Sequence, residues 1–540
     1  MTARVTKYII ITDMTDTKVK MKFNFDGRRA VKISLLVCAA VAAVCALLLT
    51  FTVGDYYIFN RIGEYGFFFA ISQWIKKAGL VLIIMAVFFN CKSCADAVKY
   101  VLPLFLVLSC CLFGDFFDIT TPVPDDRPAQ EIFNKINLGF PKWLNMTLFF
   151  LQNVALAACC ALLIVRDGFK VSGKSFICLP FAFLAAMPLN IFENFFDIAK
   201  IPADSFLRFH NFTIWHFLAI CVLAGSTIGL YYFLKNKTRE QQDKYLAFIA
   251  VTLLLQYHSK DSVVMGDGYN VYYTVFACIP LFICNIGVYV ASISVIFKKR
   301  ALYAISFFIH AVGALTVFVY FGKDEMSNYG IFCSYSILYF CLTHCLLFAL
   351  CVLPTALGHY KFKIKDCIIP LIYYCIVIIL AAVASALVTE FLTDMGLSVG
   401  EGTGFDMTPP NYAFTQVCPL PIRVPNLIPL GGAFRHINAF YVILVYIAYV
   451  CLFFAFFGAY TGFLALRRVV LAKIAERKTN APALPSFTAE SAQAETAATD
   501  DGTDVQPVTE QSETAQATAE TAEEETDGDA QEEAATVDET

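Results

Sequence analysis

The sequence predicts an all-α fold, a polytopic bundle of transmembrane helices, and two observations support this prediction. Of the 540 residues, 58% are apolar and 16% are charged, whereas soluble proteins average about 25% charged residues. The apolar residues also fall in blocks of roughly 20, the length at which an α-helix crosses a hydrocarbon core about 30 Å thick. We therefore expect a multi-pass protein of the cell membrane.

Twelve apolar spans can be assigned along the chain, and the second, third and seventh of them are short or interrupted. The spans cover residues 31–53, 77–90, 99–115, 144–165, 175–193, 211–234, 244–258, 271–297, 301–322, 329–355, 367–389 and 437–466.

The charges in the connecting loops provide a test of this count. Basic clusters precede the first span, occupy every second loop and follow the last span, whereas the intervening loops are acidic or mixed. The clusters are Arg28/Arg29/Lys32, Lys92/Lys99, Arg166/Lys170/Lys174, Lys235/Lys237/Arg239, Lys298/Lys299/Arg300, Lys361/Lys363/Lys365 and Arg467/Arg468/Lys473. Because cytoplasmic loops carry the excess of Lys and Arg, this alternation predicts twelve helices with both termini cytoplasmic.

Composition divides the chain into five segments. Residues 1–30 are a cytoplasmic extension, residues 31–200 a block of about five helices, and residues 205–466 a second transmembrane domain. The first 20 residues are polar and have no signal-peptide core, so Met21 is an alternative start and these residues are expected to be dispensable. A basic flank, 467–478, precedes an acidic tail, 479–540, which has too little apolar surface to fold and is expected to be disordered.

The sequence contains no motif for several classes of function. The sequence contains no ATP-binding loop, metal-ligand cluster or nucleic-acid patch, so we expect neither a cofactor nor nucleic acid, and membrane lipids are the expected partners. The Cys91-Lys92-Ser93-Cys94 pair lacks a second such pair and is a weak metal signal. The acidic tail is either a solubilising tail or a docking arm for a basic protein partner.

A cysteine and a histidine on two predicted helices form the candidate site. Cys284 lies 14 residues before Lys298, and His344 lies 17 residues before Lys361, so both are near mid-membrane, about 21 and 26 Å from the basic flank at ~1.5 Å per residue. His310, on the helix between them, has a similar depth. The three side chains are therefore expected to reach one cavity.

The motifs around these residues carry a family resemblance. Ile-Pro-Leu-Phe-Ile-Cys-Asn-Ile-Gly at 279–287 is followed by Gly313-Ala314, His344, and Asn411-Tyr412-Ala413-Phe414 with two nearby prolines, in that order. In content and order these elements resemble the YwaF-like integral membrane proteins, a bacterial family with a eukaryotic branch, over residues 205–466. The family motif reads Leu-Pro-Leu-His-Leu-Cys, and its His is replaced here by Phe282.

This resemblance implies an activity. The eukaryotic branch includes lipid acyltransferases that use an intramembrane Cys and His, so Cys284 is the implied nucleophile and His344 the implied base. A buried thiol ionises poorly and needs a base to become a nucleophile, and the thiolate then accepts an acyl group as a thioester. Asn285 or Tyr289 can donate to the oxyanion. The further residues expected to line the site are His310, Asn411 and Tyr412.

Other interpretations remain open at this stage. A mid-membrane Cys is ordinarily a packing residue, and a His can join helices through one hydrogen bond worth roughly 0.6–2 kcal/mol. The whole protein can instead be a small-solute transporter or channel, or a non-catalytic scaffold that uses its acidic tail. The polar residues that would line a transport path are Gln152, Asn153, Asn190, Glu193 and Gln256.

Overall fold

The architecture comes from a computed structural model, which is helical over most of its described length. The described residues are 8–10, 20–22, 27–52, 67–111, 142–169, 172–189, 191, 201–202, 205–266, 279–319, 331–394, 412–415 and 424–479.

The described residues form twelve main helices, and each overlaps one of the twelve predicted spans. They are α1 Gly27–Thr52, α2 Phe67–Val87, α3 Lys92–Cys111, α4 Lys142–Asp167, α5 Cys178–Ala185, α6 Ile214–Leu234, α7 Arg239–Gly266, α8 Ile283–Phe297, α9 Arg300–Val317, α10 Tyr335–Ala356, α11 Ile368–Asp394 and α12 Ala439–Thr479.

Short elements complete the described chain. A hairpin that the sequence analysis did not predict pairs β1, Tyr8–Ile10, with β2, Lys20–Lys22, in antiparallel register. Single 3-10 turns occur at Gly173–Ile177, Ile364–Cys367, Tyr412–Phe414 and Gly432–Phe434.

The chain divides into two compact units, Met1–Ala465 and Leu466–Thr540. In the second unit, the described residues 466–479 are helical. The predicted disordered tail, 479–540, lies outside the described residues apart from its first residue.

Eight helical segments among the described residues are long and apolar enough to cross a membrane. They are Gly27–Thr50, Lys92–Cys111, Trp143–Asp167, Ile214–Leu234, Arg300–Val317, Ile337–Ala356, Ile364–Phe391 and Ala439–Val470. Segments Gly173–Ala185 and Ile283–Phe297 are apolar but shorter. The prediction of a multi-pass helical membrane protein is therefore confirmed, whereas twelve crossings and cytoplasmic termini stay predictions.

The outward face of α11 supports a hydrocarbon environment. Ile368, Ile372, Ile376 and Ile379 are each more than half exposed, and their spacing of three or four residues puts them on one side of the helix. Water would oppose such a continuous apolar stripe, whereas lipid chains accept it.

Helix α7 connects the two halves of the first unit. In the N-terminal half, α1 packs against α4 and α2 packs against α3, and α7 contacts both α1 and α2. In the other half, α7 packs against α8 and α10, and α8, α9 and α10 pack against one another. The candidate site lies within this second group of helices.

A buried ion pair holds α3 to the chain beyond α4. The Lys99 side chain is fully buried, and its Nζ lies 3.1 Å from Asp96 Oδ1 and donates to the Gly168 carbonyl at 3.2 Å. Ser175 donates to the other Asp96 oxygen at 3.5 Å. Lys99 was interpreted from the sequence as part of a basic loop, but Asp96, one turn earlier on the same helix, allows it to be buried.

We predict that Asp96→Ala destabilises the protein strongly. Removing Asp96 leaves the buried Lys99 ammonium with only the more distant carboxylate of Asp167, at 3.9 Å, and breaking a buried pair costs up to roughly 3–5 kcal/mol. Unfolding in detergent, followed by circular dichroism against SDS concentration, measures this change. The control is Glu240→Ala, because Glu240 forms an exposed pair with Lys244 at 2.7 Å and pairs of this kind contribute little. Equal effects of the two substitutions would contradict the buried-pair assignment.

A second polar contact joins the loop after α10 to α7. His359 Nε2 donates to Gln242 Oε1 at 2.7 Å, and the Gln242 amide nitrogen donates to the Leu234 and Lys237 carbonyls. Burial, helped by the nearby Arg239 cation, lowers the pKa of His359 from about 6.5 to about 4. The folded protein therefore holds this imidazole neutral at neutral pH.

This shift predicts acid sensitivity. Because the unfolded state takes up a proton near pH 6.5 and the folded state does so only near pH 4, the stability contributed by neutral His359 is present above pH 6.5 and is lost between these values. Melting temperatures in detergent at pH 7.5 and pH 5 measure the loss. His359→Gln keeps an amide donor without titrating, so its melting temperature should fall less over this interval, and an identical fall would refute the prediction.

Candidate functional site

Helix α8 begins three residues after the proline of the Ile279–Gly287 motif. Residues 279–282 are not helical, and the Leu281 N–H donates to the Ile279 carbonyl at 2.8 Å in a tight turn around Pro280. The sequence analysis placed one apolar span, 271–297, across this proline. The structure instead starts α8 at Ile283, because proline disfavours the helical conformation of the residue before it and has no N–H to donate. Residues 271–278 lie outside the described residues.

This start places Cys284 in the first turn of α8. Cys284 is the second helical residue and is half-buried. The first four N–H groups of a helix have no partner within the helix, and the helix dipole is positive at this end. A sulfur in this position therefore lies where negative charge is favoured.

Gly313 on α9 has no side chain, which allows the Cys284 thiol to pack close to the α9 backbone. A Cβ atom built on Gly313 would lie 3.1 Å from the Tyr449 hydroxyl oxygen, 3.2 Å from Ile283 Cγ2 and 3.6 Å from Cys284 Sγ. The thiol and the Tyr449 hydroxyl thus border the same small space. The Gly313-Ala314 pair quoted in the resemblance is therefore next to Cys284 in space.

His310 is buried beside the start of α8 with both ring nitrogens in hydrogen bonds. Nδ1 lies 2.9 Å from the Ile283 carbonyl oxygen and Nε2 lies 3.1 Å from the Tyr373 hydroxyl. Because a carbonyl only accepts, Nδ1 carries the proton, and in the neutral ring Nε2 then accepts from Tyr373. His310 thus connects α8, α9 and α11, and this arrangement gives it a positioning role.

The helix that carries His310 is wound differently at this point. Ser306–His310 form a π turn, closed by a bond from the Ala311 N–H to the Ser306 carbonyl. The Tyr449 hydroxyl donates to the Ile309 carbonyl at 2.6 Å. A π turn interrupts the usual hydrogen-bond pattern of the helix, and such turns are frequent at functional sites. Tyr449, from α12, thus satisfies a backbone carbonyl close to the thiol.

His344 lies on α10 among aromatic rings. Its Nδ1 donates to the Phe340 carbonyl, one turn earlier, at 2.8 Å, and its ring centre is 4.3 Å from that of Phe340 and 6.5 Å from that of Phe318. With the proton on Nδ1, Nε2 holds the lone pair of the neutral imidazole. His344 therefore presents a basic nitrogen on the side opposite its backbone bond.

The contacts of Cys284 and His344 belong to neighbouring clusters. Cys284 adjoins Gly313, and His344 adjoins Phe318, five residues further along the chain. Five residues correspond to about 7.5 Å along a helix. The predicted pair is thus carried by two helices that pack together, α8 and α10, at levels that differ by roughly one to two turns.

The other predicted lining residues take different positions. Tyr412 is fully buried and its ring contacts Phe282 at 5.9 Å, so the segment 412–415 covers the start of α8. Asn285 is half-buried in the first turn of α8. Tyr289 pairs with His258 Nε2 at 3.2 Å, on the side of α8 that faces α7. Asn411 lies outside the described residues.

Two of the five polar residues considered for a transport path donate hydrogen bonds through their amide nitrogens, and their amide oxygens have no partner among the described residues. The Gln256 amide donates to the Ala185 and Met187 carbonyls at 2.8 and 3.0 Å, and Asn153 contacts Cys110 Sγ at 3.7 Å. Asn190 and Glu193 lie outside the described residues. Gln152 lines a separate cavity that is described below.

Three residues of this region were missed in the sequence. Tyr373 and Tyr449 supply the hydroxyls that bond His310 and the π turn, but tyrosines are too common in apolar spans to be singled out. His216 was not singled out in the sequence, yet it is buried, accepts from the Phe212 N–H at 2.9 Å and donates to the Phe318 carbonyl at 2.8 Å. It ties α6 to the end of α9, beside His344.

We predict that Gly287→Ala destabilises the site. The added Cβ would lie 2.8 Å from His310 Cγ and Nδ1, and the two hydrogen bonds of the ring prevent it from moving away. Overpacking of this kind costs roughly 1–3 kcal/mol, measurable by unfolding in detergent. The control is Gly229→Ala on α6, where a Cβ meets nothing within 4 Å and alanine is the better helix former. Equal stability of the two variants would show that the ring tolerates displacement.

Comparison with known proteins gives one match. No curated protein and no solved structure matches the chain. The YwaF-like resemblance is not tested by this comparison and stays a prediction. Residues 209–457, which contain Cys284, His310 and His344, match the family model described as the TMEM164 family, so this part of the chain is similar to a multi-span membrane family.

Proposed function

We propose that the protein is an intramembrane acyltransferase that acts on membrane lipids, with Cys284 as the nucleophile and His344 as the base. The observation that carries this proposal is the position of Cys284: a half-buried thiol in the first turn of a helix that begins inside an apolar bundle. The YwaF-like resemblance is the source of the acyl-transfer chemistry.

The helix start supports the nucleophile. Thiolates are stabilised at helix N-termini, where N–H groups point toward the sulfur. Those same N–H groups can donate to the oxyanion that develops on an attacked acyl carbonyl.

The hydrogen bond of His344 supports the base. Its Nδ1–H is held by the Phe340 carbonyl, so the free lone pair on Nε2 is the one that can take the thiol proton. His310 is the poorer candidate, because both of its nitrogens are engaged by Ile283 and Tyr373. Proton transfer requires Cys284 Sγ and His344 Nε2 to reach hydrogen-bond distance, directly or through one water.

The reaction proceeds in two half-reactions. In the first, His344 takes the Cys284 proton, the sulfur bonds to the acyl carbon of a lipid ester, and the C–O bond breaks as the departing oxygen receives the proton. In the second, His344 takes a proton from the hydroxyl of another lipid, whose oxygen bonds to the acyl carbon. The C–S bond then breaks and the proton returns to sulfur.

We predict that Cys284→Ser abolishes acyl capture. Full-length protein in lipid nanodiscs, supplied with phospholipid that carries an alkyne-labelled acyl chain, should acquire a label that hydroxylamine removes, as thioesters are cleaved by that reagent. His344→Gln should lower the rate of labelling by about 10²–10⁴-fold, the usual contribution of a general base.

The matched control is Cys345→Ser, which removes a buried thiol next to His344 in sequence and should leave labelling unchanged. Melting temperatures of all variants show whether the fold survives. Labelling and lipid turnover that persist in a folded Cys284→Ser protein would refute the proposal.

A further inference from the structure

A large cavity lies between the N-terminal half of the chain and the helix that carries Cys284. Its volume is about 830 Å³, and its walls come from α1, α2 and α4 on one side and from α7 and α8 on the other. Sites for small molecules usually measure about 300–1,000 Å³. The cavity is thus large enough for an extended organic ligand.

The cavity follows α7, whose middle turns line it with apolar side chains. The wall on this helix extends from Glu240 to Ser259, a distance of about 28 Å at ~1.5 Å per residue. Between the polar ends of this wall, the lining residues of α7 are apolar, and Val251 and Leu254 are among them. A ligand that fills this space therefore needs an apolar chain.

Helix α8 places one hydroxyl group opposite this apolar stretch. Tyr289 on α8 bonds to His258 on α7. Further along α8, Lys298 pairs with Asp243, earlier on α7, so the two helices run antiparallel. Ser292 lies between these two levels, where the described α7 residues that line the cavity are all apolar.

Two polar atoms on opposite walls supply an independent sign of a ligand. Gln152 Oε1 on α4 and Ser292 Oγ on α8 are buried and have no hydrogen-bond partner among the described residues. Their residues are 4% and 1% exposed, and both line the cavity. Because buried polar atoms are nearly always satisfied, a molecule inside the cavity is expected to reach them.

The chemistry of these two atoms defines the group that satisfies them. An amide oxygen only accepts hydrogen bonds, so Gln152 Oε1 needs a donor, whereas the Ser292 hydroxyl can donate or accept. Ester and ether oxygens have no proton to donate, but a hydroxyl group both donates and accepts. A buried water does so too, yet it usually makes about three hydrogen bonds, and the apolar wall of α7 offers it none at this level.

We propose that this cavity binds an amphiphile with an alkyl or acyl chain and a hydroxyl-bearing headgroup. The headgroup donates to Gln152 Oε1 and shares a hydrogen bond with Ser292 Oγ, and the chain lies along the apolar wall of α7. Cys284 and His344 are not among the lining residues, so this site does not depend on acyl transfer by the thiol. Gln152 lies outside residues 209–457, so the N-terminal half of the chain contributes to the site.

Ligand binding to the full-length protein tests this inference. The purified, delipidated protein in a steroidal detergent is titrated with monolauroylglycerol, its dimethyl ether or dodecanol, and complexes are quantified by native mass spectrometry. Monolauroylglycerol and its ether share the chain and differ in two O–H donors. The form with free hydroxyls should bind about tenfold more tightly, the effect of about one hydrogen bond. Dodecanol identifies the source: an affinity at least equal to that of monolauroylglycerol indicates a long-chain alcohol, and a lower one indicates a glycerol headgroup.

Variants with altered amides locate the binding. Gln152→Leu should weaken binding of monolauroylglycerol about tenfold and remove its advantage over the ether, the effect of about one hydrogen bond. Asn153→Leu is the matched control and should leave both affinities unchanged. The Asn153 amide oxygen is likewise buried without a partner among the described residues, but Asn153 does not line the cavity. Ser292→Ala should also weaken binding, and it provides the test if Gln152→Leu does not fold.

A substitution that fills the cavity completes the test. Ala46 lines the cavity from α1, so Ala46→Phe should abolish binding of all three ligands. Equal affinity of the native protein for monolauroylglycerol and its ether, or no binding of either, would overturn the proposal. The same holds for native binding in folded Ala46→Phe, and for a preference that persists unchanged in folded Gln152→Leu or Ser292→Ala.

Discussion

The site depends on one constraint: a chain that starts a helix inside a membrane must satisfy its backbone groups from within the protein. Helix α8 starts at Ile283, after the non-helical residues around Pro280, and the Ile283 carbonyl accepts the Nδ1 proton of His310. The helix that supplies His310 is itself irregular, and the Ile309 carbonyl is bonded by Tyr449. The start of α8 and the π turn of α9 face each other. The hydrogen bonds that satisfy the backbone of one therefore fix the position of the other, and of the Cys284 thiol beside them.

These contacts pack the region around Cys284 closely, whereas a cavity of about 830 Å³ lies behind α8. The two regions share α8 but use different sides of it, with Gly287 against His310 and Tyr289 against His258. A thiol in close packing suits chemistry that must exclude water. Helix α8 thus separates the closely packed thiol on one side from the cavity on the other.

Much of the fold could be predicted from the sequence, because apolar blocks of membrane length leave few alternatives to helices. All twelve predicted segments contain helix. Three features could not be predicted, for physical reasons. The start of α8 depends on a turn around Pro280 rather than on hydropathy. Lys99 was counted as a loop residue, since its burial depends on Asp96 and on the Gly168 carbonyl, 69 residues later. The partners of His310 come from α8 and α11, and only folding brings them together.

The π turn also constrains how the sequence can vary. Ser306–His310 contain one residue more than an α turn accommodates, and each residue of a helix accounts for about 100° of rotation. A π turn absorbs this extra residue, so the loss of one residue from Ser306–His310 would close the turn as α-helix and leave Gly313 in phase beside Cys284. The same loss would move the imidazole of His310 out of register with Ile283 and Tyr373. The length of this short stretch therefore determines where the imidazole lies, whereas the position of the glycine does not depend on it.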